Sequence, residues 1–369
     1  MSALARAGKN RPIEVVHLSG GAFERGVAHG RAVADRLEYY WGELMKDVTD
    51  RSADPIGKDE LRQWVLERCG AALALAPDLE QEIRGIAEGA GVAYELALGV
   101  NFGEEVCHLA SSKGMASSRP TERCLSIVVP PEQSATGDYL LAQTWDGPDW
   151  TPDPVLFVVD EEAGRSAYLS DGGWVGGVGL NDRGVGSVHT GVGTTNDGTP
   201  GLPYPFIARR ILQSDLLEEA AGKVVEAPAT AGCHYIVAGG GRALDVEIAG
   251  AANAVMPLSG PVSTCAHFSA RDLEALETEA DARQVSEYRT TRLLSLLAQR
   301  APIGPLELFD IMSDHKEGAS GAMVCRHPAT DRVEGRSLGA LVVDMAAAEV
   351  FARAGNPCEE RPLGSAALR

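Results

Sequence analysis

Hydrophobic positions in the first third of the chain recur at helical spacing. After Gly30 they fall three or four residues apart, at Val33, Leu37, Tyr40, Leu44 and Val48. Residues 77–89 carry Leu79, Ile83 and Ile86 on one side and acidic residues in the first turn, where the helix dipole favours negative charge. Both patterns predict helices that bury one face in the core.

From about residue 124 the chain changes to short apolar segments bounded by Gly, Asp, Asn and Pro, which is typical of β-strands. The predicted strands are residues 124–129, 139–146, 155–160, 234–238, 243–248, 322–326 and 338–345. Turn sequences at 181–184 (Asn-Asp-Arg-Gly) and 239–241 (Gly-Gly-Gly) suit hairpins, so we expect at least partly antiparallel sheets. Residues 205–221 and 285–299 return to helical spacing and predict two further helices.

Composition and charge exclude several classes of protein. The 369 residues are 44% hydrophobic and 23% charged, which is typical of a globular protein with one large domain or two ordinary ones. A net charge of −19 opposes binding to the phosphate backbone, so we expect no nucleic-acid partner. The sequence has neither an apolar run of the roughly 18 residues that a membrane span needs nor an apolar signal segment at its start. We therefore expect a cytoplasmic protein with no membrane partner.

The seven cysteines are odd in number and widely scattered, which favours a reducing compartment over a disulfide framework. Their spacing gives neither Cys-x-x-Cys nor a Cys/His quartet, and therefore predicts no structural zinc site. Asp314, His315, Glu317 and His327 also lack a metal-binding spacing, so hairpin-end and capping roles are expected for them. The glycine-rich residues 172–179 match no phosphate-binding motif and are interpreted as turn and strand. We expect no metal and no cofactor.

Cys124 stands at the start of a predicted strand, directly after the polar residues 111–123, which have the composition of an exposed loop. A cut before Cys124 would make it an N-terminus that supplies two catalytic groups. Its thiol would attack, and its α-amine, with a reference pKa of about 7.7–8.0, would serve as the general base. By position alone, an ordinary buried strand thiol remains the alternative.

Seven motifs follow one another in order along most of the chain. They are residues 20–30 (Gly-x5-Gly-x3-Gly), 77–92, 101–105, 124–126 (Cys-Leu-Ser), 141–146 (Leu-Ala-Gln-Thr-Trp-Asp), 179–185 (Gly-Leu-Asn-Asp-Arg-Gly-Val) and 324–327 (Val-Cys-Arg-His). In this order they resemble the isopenicillin-N acyltransferase family, the acyl-coenzyme A:6-aminopenicillanic-acid acyltransferases among the N-terminal-nucleophile hydrolases.

The resemblance implies an α+β fold, a four-layer αββα sandwich of the N-terminal-nucleophile hydrolase type. It also implies self-cleavage between Arg123 and Cys124 into a helical light chain, residues 1–123, and a heavy chain, residues 124–369, which together form one structural domain. Cys124 would be the nucleophile, Asp146 would orient its α-amine, and Arg326 would lie beside Asp146 in the pocket. Each chain would be the other's partner.

The sequence departs from the family pattern at several positions near this site. Ala266 stands where the family has an Asn whose amide stabilises the oxyanion, and alanine has no donor, so this contact is either missing or supplied by a neighbour such as His267 or a backbone amide. Thr144 and Thr190 stand where members often carry Asn, and Arg123 precedes the nucleophile where Gly is usual. These positions are candidates for the oxyanion site, the pocket and the cleavage site.

We therefore predict a self-cleaving cysteine amidohydrolase or N-acyltransferase that acts on a small amide or acyl-thioester through an acyl-enzyme on Cys124. The sequence leaves hydrolysis and acyl transfer open. One alternative is a catalytically impaired, unprocessed binding protein on the same scaffold. Another is a thiol hydrolase that stays uncleaved and uses His267 or His189 as its base.

Overall fold

The computed structural model describes residues 11–51, 57–103, 106, 124–278, 280–318, 322–327 and 335–369. The strands are β1 (Val15–Leu18), β2 (Leu125–Val129), β3 (Leu140–Gly147), β4 (Val155–Glu161), β5 (Gly164–Ser170), β6 (Val178–Asn181), β7 (Gly186–Val192), β8 (Gly232–Gly239), β9 (Arg242–Ala249), β10 (Ala252–Pro257), β11 (Val262–Thr264), β12 (Arg336–Asp344), β13 (Glu349–Ala354) and β14 (Gly364–Ala367).

The α-helices are α1 (Ala22–Arg51), α2 (Lys58–Leu75), α3 (Pro77–Ala90), α4 (Tyr94–Asn101), α5 (Tyr204–Leu212), α6 (Leu217–Val225), α7 (Arg271–Glu274), α8 (Ala280–Arg300) and α9 (Pro305–Met312), with a 3-10 turn at Pro357–Glu359. Within the described ranges, no helix has the length and apolar character that crossing a bilayer requires.

The strands form two sheets. The larger has eight strands in the order β1-β4-β5-β6-β7-β8-β9-β10, and the smaller has six in the order β11-β2-β3-β12-β13-β14. Neighbouring strands are antiparallel, except that β1 runs parallel to β4. Because β1 belongs to the predicted light chain and β4 to the predicted heavy chain, one sheet contains strands from both parts.

The two sheets stack face to face, with helices on their outer sides. Strands β2 and β3 of the smaller sheet contact β7 of the larger one, α8 and α9 pack on the smaller sheet, and α5 and α6 pack on the larger. Along β2 the side chains alternate: Val128 joins the core shared by both sheets, whereas Ile127 packs with Leu293 of α8. This arrangement confirms the predicted αββα sandwich.

Glycines allow α1 and α3 to cross at close range. Four of them lie at the crossing: Gly26, Gly30, Gly85 and Gly89. A Cβ atom on Gly26 would lie 2.0 Å from the carbonyl oxygen of Glu82, and one on Gly85 would lie 2.1 Å from that of Phe23. The glycines of the motif at residues 20–30 therefore have a packing role, since any side chain there would force the helices apart.

Two predicted elements are wrong in the structure. Residues 322–326 form no strand, because their backbone groups bond to neighbouring side chains and loops: Val324 O accepts from Arg289, and the amide of Arg326 donates to Ser337 Oγ. The helix predicted over residues 205–221 is two helices, α5 and α6, with a break between Leu212 and Leu217. In contrast, both predicted hairpins form, the second with Gly240 and Gly241 at positive φ.

Candidate active site

Cys124 lies directly before β2, which stands between the edge strand β11 and β3 in the smaller sheet. Leu125 pairs with Thr144 of the antiparallel β3, so the next pair along the register brings Cys124 opposite the Trp145–Asp146 end of that strand. The thiol donates a weak hydrogen bond to the backbone oxygen of Asp146, 3.9 Å away. Arg123, the other half of the predicted cleavage site, lies outside the described residues.

The carboxylate of Asp146 is buried, and three side chains of the described residues donate to it. Arg289 Nη2 donates to Oδ2 at 2.6 Å, Ser337 Oγ donates to Oδ1 at 2.8 Å, and Thr144 Oγ1 donates to Oδ2 at 3.3 Å. Ser337 reaches Asp146 because the two residues are directly paired between β12 and β3. Burial raises the pKa of Asp146, and Arg289, Ser337 and Thr144 oppose that rise by stabilising the charged form.

Arg289 is the main site residue that sequence reasoning missed. Its side chain is 1% exposed, and besides Asp146 it contacts Cys265 Sγ at 3.6 Å and Val324 O at 3.1 Å. It therefore joins the end of β3, the segment after β11 and residues 322–327. The sequence does contain a signal for Arg289. Ser286, Arg289 and Thr290 continue the helical spacing of Leu293, and polar side chains on the buried face of α8 indicate a polar site beneath that helix.

Arg326 reaches this neighbourhood through its backbone. Its amide donates to Ser337 Oγ at 3.1 Å, and the same hydroxyl donates to Asp146. Burial lowers the pKa of the Arg326 guanidinium to about 9. The cation hydrogen-bonded to Asp146 is that of Arg289, whereas the sequence had suggested Arg326 for the position beside this carboxylate.

A polar chain connects the thiol to β7 of the other sheet. The Gln143 side-chain oxygen accepts from Ser126 Oγ at 3.3 Å and from the amide of His189 at 2.8 Å, and Ser126 Oγ lies 2.7 Å from Thr190 Oγ1. The predicted Thr190 thus lies one hydrogen bond from Ser126, two residues after Cys124. These bonds fix the Gln143 carboxamide beside the nucleophile candidate.

The thiol of Cys124 is strongly biased toward its neutral form. Burial and the nearby charge of Asp146 raise its pKa to about 12, while the polar side chain of Gln143 and the charge of Arg289 act in the opposite direction. At neutral pH the thiol of the uncleaved chain is therefore protonated, and a thiol is a much weaker nucleophile than a thiolate.

Ala266 and His267 follow β11, directly after Cys265, which Arg289 contacts. The ring of His267 is hydrogen-bonded to Ser286 Oγ through Nδ1, and its carbonyl oxygen accepts from His234 Nε2 at 2.6 Å. Burial and the positive charge of His234 lower the pKa of His267 to about 4, so its imidazole is neutral at physiological pH.

His189 lies in an aromatic cluster. Its ring centroid is 5.9 Å from that of Trp145, 5.8 Å from that of Tyr204 and 5.5 Å from that of Tyr235. Burial lowers the pKa of His189 to about 4. Because its ring is occupied by these packing contacts and strongly disfavours a proton, the geometry does not favour it as a general base.

Among the residues that the structure describes, two groups of side chains have the donor types and spacing of metal ligands. One is buried and consists of His234, Asp245 and Glu247. The other lies near the surface and consists of His315, Cys325, His327 and Cys358. The spacing along the chain had predicted no Cys/His quartet, because the second group is assembled from three separate segments. Asp314 instead forms a two-pronged ion pair with Arg292.

No protein-family model matches this chain, and no curated protein matches it. Among solved structures it is similar to a mutant of conjugated bile acid hydrolase from Clostridium perfringens, with 9% identity and a TM-score of 0.46 over 66% of this chain and 92% of that chain. It is also similar to penicillin V acylase from Agrobacterium tumefaciens, with 16% identity and a TM-score of 0.38 over 63% of this chain and 82% of that chain.

A further similar structure is a second variant of conjugated bile acid hydrolase from Clostridium perfringens, with 10% identity and a TM-score of 0.36 over 69% of this chain and 86% of that chain. These similarities are too low to assign a family or an activity. None of the three is described as an isopenicillin-N acyltransferase, so that resemblance stays a prediction.

Proposed function

We propose that the protein is an N-terminal-nucleophile cysteine amidohydrolase or N-acyltransferase, activated by cleavage of its own Arg123–Cys124 bond. The observation that carries the proposal is the position of Cys124, whose thiol contacts the backbone of Asp146 at the start of β2. The carboxylate of Asp146 is in turn fixed by Arg289, Ser337 and Thr144. A thiol and an oriented carboxylate at the same strand ends are the groups that this chemistry needs.

Self-cleavage begins with attack of the Cys124 sulfur on the carbonyl carbon of Arg123. The peptide C–N bond breaks and a thioester forms, while the nitrogen of Cys124 takes up the thiol proton and becomes an amine. Water then hydrolyses the thioester, which leaves a carboxylate on Arg123 and the thiol on Cys124. The atoms balance without a cofactor, and the outcome is a new α-amine directly beside the nucleophile.

Cleavage would change the chemistry of the thiol. In the uncleaved chain burial holds the pKa of Cys124 at about 12, which keeps the thiol protonated and weakly reactive. The new α-amine, with a reference pKa of about 7.7–8.0, is a base poised near neutral pH. Once it has taken the thiol proton, its positive charge stabilises the adjacent thiolate. The uncleaved chain is thus a zymogen by virtue of its electrostatics.

Asp146 would hold the α-ammonium group. An ionised carboxylate has about four acceptor positions. Arg289, Ser337 and Thr144 use three of them, which leaves one for the new N-terminus. Because Arg289 also bonds to Val324 O and contacts Cys265, it is a positioning residue that fixes Asp146 relative to the segments around Ala266 and Arg326.

The oxyanion would be stabilised by Gln143 in place of the missing amide at Ala266. The oxygen of the Gln143 side chain is engaged by Ser126 and the amide of His189, whereas its buried Nε2 has no hydrogen-bond partner within the described residues. Its NH₂ group is therefore the side-chain donor beside the nucleophile. A donor preorganised in this way is typically worth about 3 kcal/mol in the transition state.

Turnover would follow the same steps with an external substrate. The thiolate attacks the carbonyl carbon of a small amide or acyl-thioester, the leaving group takes a proton from the α-ammonium, and an acyl-enzyme remains on Cys124. Water or an amine then attacks the acyl-enzyme, with the α-amine as base. The acid is the product of hydrolysis, and a new amide is the product of transfer.

The decisive experiment is the intact mass of the denatured wild-type protein beside two variants. Wild type should give two chains whose masses place the break between Arg123 and Cys124. Cys124→Ala should give one uncut chain and no turnover of N-acyl amines or acyl-thioesters. Cys69→Ala is the matched control, because it removes a buried thiol of α2 and should leave cleavage intact.

Other results would identify the alternatives. A single uncut wild-type chain without turnover would contradict the proposal and favour the unprocessed binding protein. An uncut chain that turns over substrate and loses activity on replacement of His267 would favour the uncleaved thiol hydrolase. Turnover by Cys124→Ala would remove the nucleophile from the proposal altogether. Product analysis with and without added amine would then separate hydrolysis from acyl transfer.

A further inference from the structure

Two cysteines and two histidines converge near the surface, and two of the four belong to residues 322–327. The ligating atoms of His315, Cys325, His327 and Cys358 all lie within 4.8 Å of one another. His327 Nε2 lies 3.0 Å from His315 Nε2, 3.3 Å from Cys358 Sγ and 3.7 Å from Cys325 Sγ. Four atoms with metal-binding lone pairs therefore face one small volume.

We propose that these four side chains bind a zinc ion in a closed, tetrahedral site. Zinc in proteins is held at about 2.3 Å by sulfur and about 2.0–2.1 Å by imidazole nitrogen, which places tetrahedral ligand atoms about 3.3–3.8 Å apart. The contacts around His327 Nε2, at 3.0, 3.3 and 3.7 Å, already approach these separations. Small side-chain shifts would complete the coordination.

The chemistry of the ligands fits this ion. On binding, each thiol gives its proton to solvent, and the metal accepts electron pairs from two thiolates and two neutral imidazoles, without a change of oxidation state. The two thiolate charges neutralise Zn²⁺, so the site adds no net charge. Softer sulfur ligands combined with imidazole favour zinc over magnesium or calcium, which prefer oxygen.

The surroundings supply support for the ligands. Asn356 Nδ2 lies 3.8 Å from Cys325 Sγ and also donates to the carbonyl oxygen of Arg326. Hydrogen bonds from outside the coordination shell commonly orient metal ligands in this way. Cys358 is held within the 3-10 turn Pro357–Glu359, which follows directly after Asn356.

A zinc ion here would brace the proposed active site without joining its chemistry. The ion would connect the segment after α9, residues 325–327 and the turn that contains Cys358. Residues 324–326 also carry the carbonyl that accepts from Arg289 and the amide that donates to Ser337, and both of those side chains hold Asp146. Because four protein ligands fill the coordination sphere, no position is left for substrate.

The test measures metal bound by the full-length protein, purified under reducing conditions without a metal-affinity tag. We expect about one zinc per chain. Zinc should be lost after treatment with a chelator and regained on addition of ZnCl₂. Replacement by Co²⁺ should give the intense visible absorption of a tetrahedral site and a thiolate-to-cobalt charge-transfer band. This spectrum tests the ligand set in the wild-type chain, independently of whether any variant folds.

Variants then locate the site. His315→Ala and Cys358→Ser should reduce bound zinc to near zero and remove the upward shift in melting temperature that zinc gives the wild type. His17→Ala, another exposed histidine, and Cys69→Ala, a thiol of α2 outside both sites, are the controls and should keep both.

Three results would overturn the proposal. The first is a chelator-treated wild type that binds no zinc or cobalt with its thiols reduced. The second is a disulfide between Cys325 and Cys358 that forms in preference to metal binding. The third is full zinc content in both His315→Ala and Cys358→Ser, which would place the ion elsewhere. Because the readouts are metal content, spectrum and melting temperature, they are independent of cleavage and turnover.

Discussion

The two clusters of metal-ligating side chains differ in how their lone pairs are used. In the buried cluster, both nitrogens of His234 face acceptors: Nδ1 is 3.1 Å from the carboxylate oxygens of Asp245, and Nε2 is 2.6 Å from the carbonyl oxygen of His267. Glu247 accepts from the amides of Ser269 and Ala270. Every contact of the imidazole therefore requires it to donate, so the ring is protonated and has no lone pair for a metal.

The surface cluster shows the opposite situation. Its sulfur and nitrogen atoms face one another, with His327 Nε2 3.7 Å from Cys325 Sγ, and the amide of Asn356 lies 3.8 Å from the same sulfur. The comparison teaches that ligand type alone does not define a metal site. His234, Asp245 and Glu247 form a satisfied ion-pair network that anchors the segment after β11, whereas the described residues show no buried ion pair within the Cys/His cluster, which is the proposed zinc site.

The largest effect that can test this contrast is expected from His234→Ala. Removing the imidazolium leaves two buried carboxylates without their cation, and breaking a buried pair in this way costs about 3–5 kcal/mol. Urea unfolding at pH 7 measures the loss. The variant should be made in the Cys124→Ala background, so that both proteins are compared as single chains.

Two controls accompany this variant. His17→Ala removes an exposed histidine and should change the free energy of unfolding by less than about 0.5 kcal/mol. The His234→Ala protein should still gain stability when zinc is added, because the ion occupies the other cluster. A loss below about 1 kcal/mol would contradict the ionic assignment of His234.

The sequence predicted those parts of the site that follow from local pattern. Cys124 begins a predicted strand and Asp146 ends one, so their meeting follows from antiparallel pairing of neighbouring strands. The apolar segments and amphipathic helices predicted the elements, whereas the αββα layering was implied by the family resemblance. Residues 322–326 were misassigned because buried Val324 and Cys325 have the apolar character of a strand, although their segment bonds to Arg289 and to loops.

The remaining site residues depend on tertiary contacts that spacing does not contain. Arg289 and Asp146 are 143 residues apart along the chain. They meet only because α8 packs on the smaller sheet at one particular rotation. The Cys/His cluster likewise joins positions from residue 315 to residue 358, with Cys358 contributed by an irregular turn. Short motifs identify zinc sites built on one hairpin, but they cannot identify ligands brought together by separate segments.

The stability contributed by the His234 network should depend on pH. Burial alone lowers the pKa of His234, but Asp245 and Glu247 of β9, together with the carbonyl of His267, raise it to about 9 from 6.5. The folded state therefore holds a proton that the unfolded state releases. The stabilisation is fully present below pH 6.5 and is lost as pH rises through about 9. We expect a loss of roughly 3 kcal/mol across this window from a shift of this size.

Urea unfolding at several pH values between 6 and 10 measures this loss, again in the Cys124→Ala background. His234→Ala supplies the reference, because the part of the slope that belongs to His234 disappears with the side chain. If the free energy of unfolding changed with pH by the same amount in both proteins across this window, the imidazole of His234 would not be charged in the folded state.

The smallest effect is expected at Asp171, a buried acid that lacks the cation of the His234 cluster. Burial raises the pKa of Asp171 to about 7 from 3.8, against the opposing effects of the hydrogen bond from Trp145 Nε1, 3.0 Å from Oδ1, and of the charge of Arg36. Its contribution to stability is present below pH 3.8 and is lost as pH rises through about 7.

Asp171→Asn keeps an oxygen for Trp145 but removes the buried charge. At pH 8 the substitution should therefore raise the free energy of unfolding by roughly 1–3 kcal/mol more than it does at pH 5. Urea unfolding at the two pH values measures this difference. Asp160→Asn, an exposed acid paired with Arg165, should show no such pH dependence. An equal effect of Asp171→Asn at both pH values would mean that Trp145 alone satisfies the charged carboxylate, and that a buried acid in this fold needs no cation.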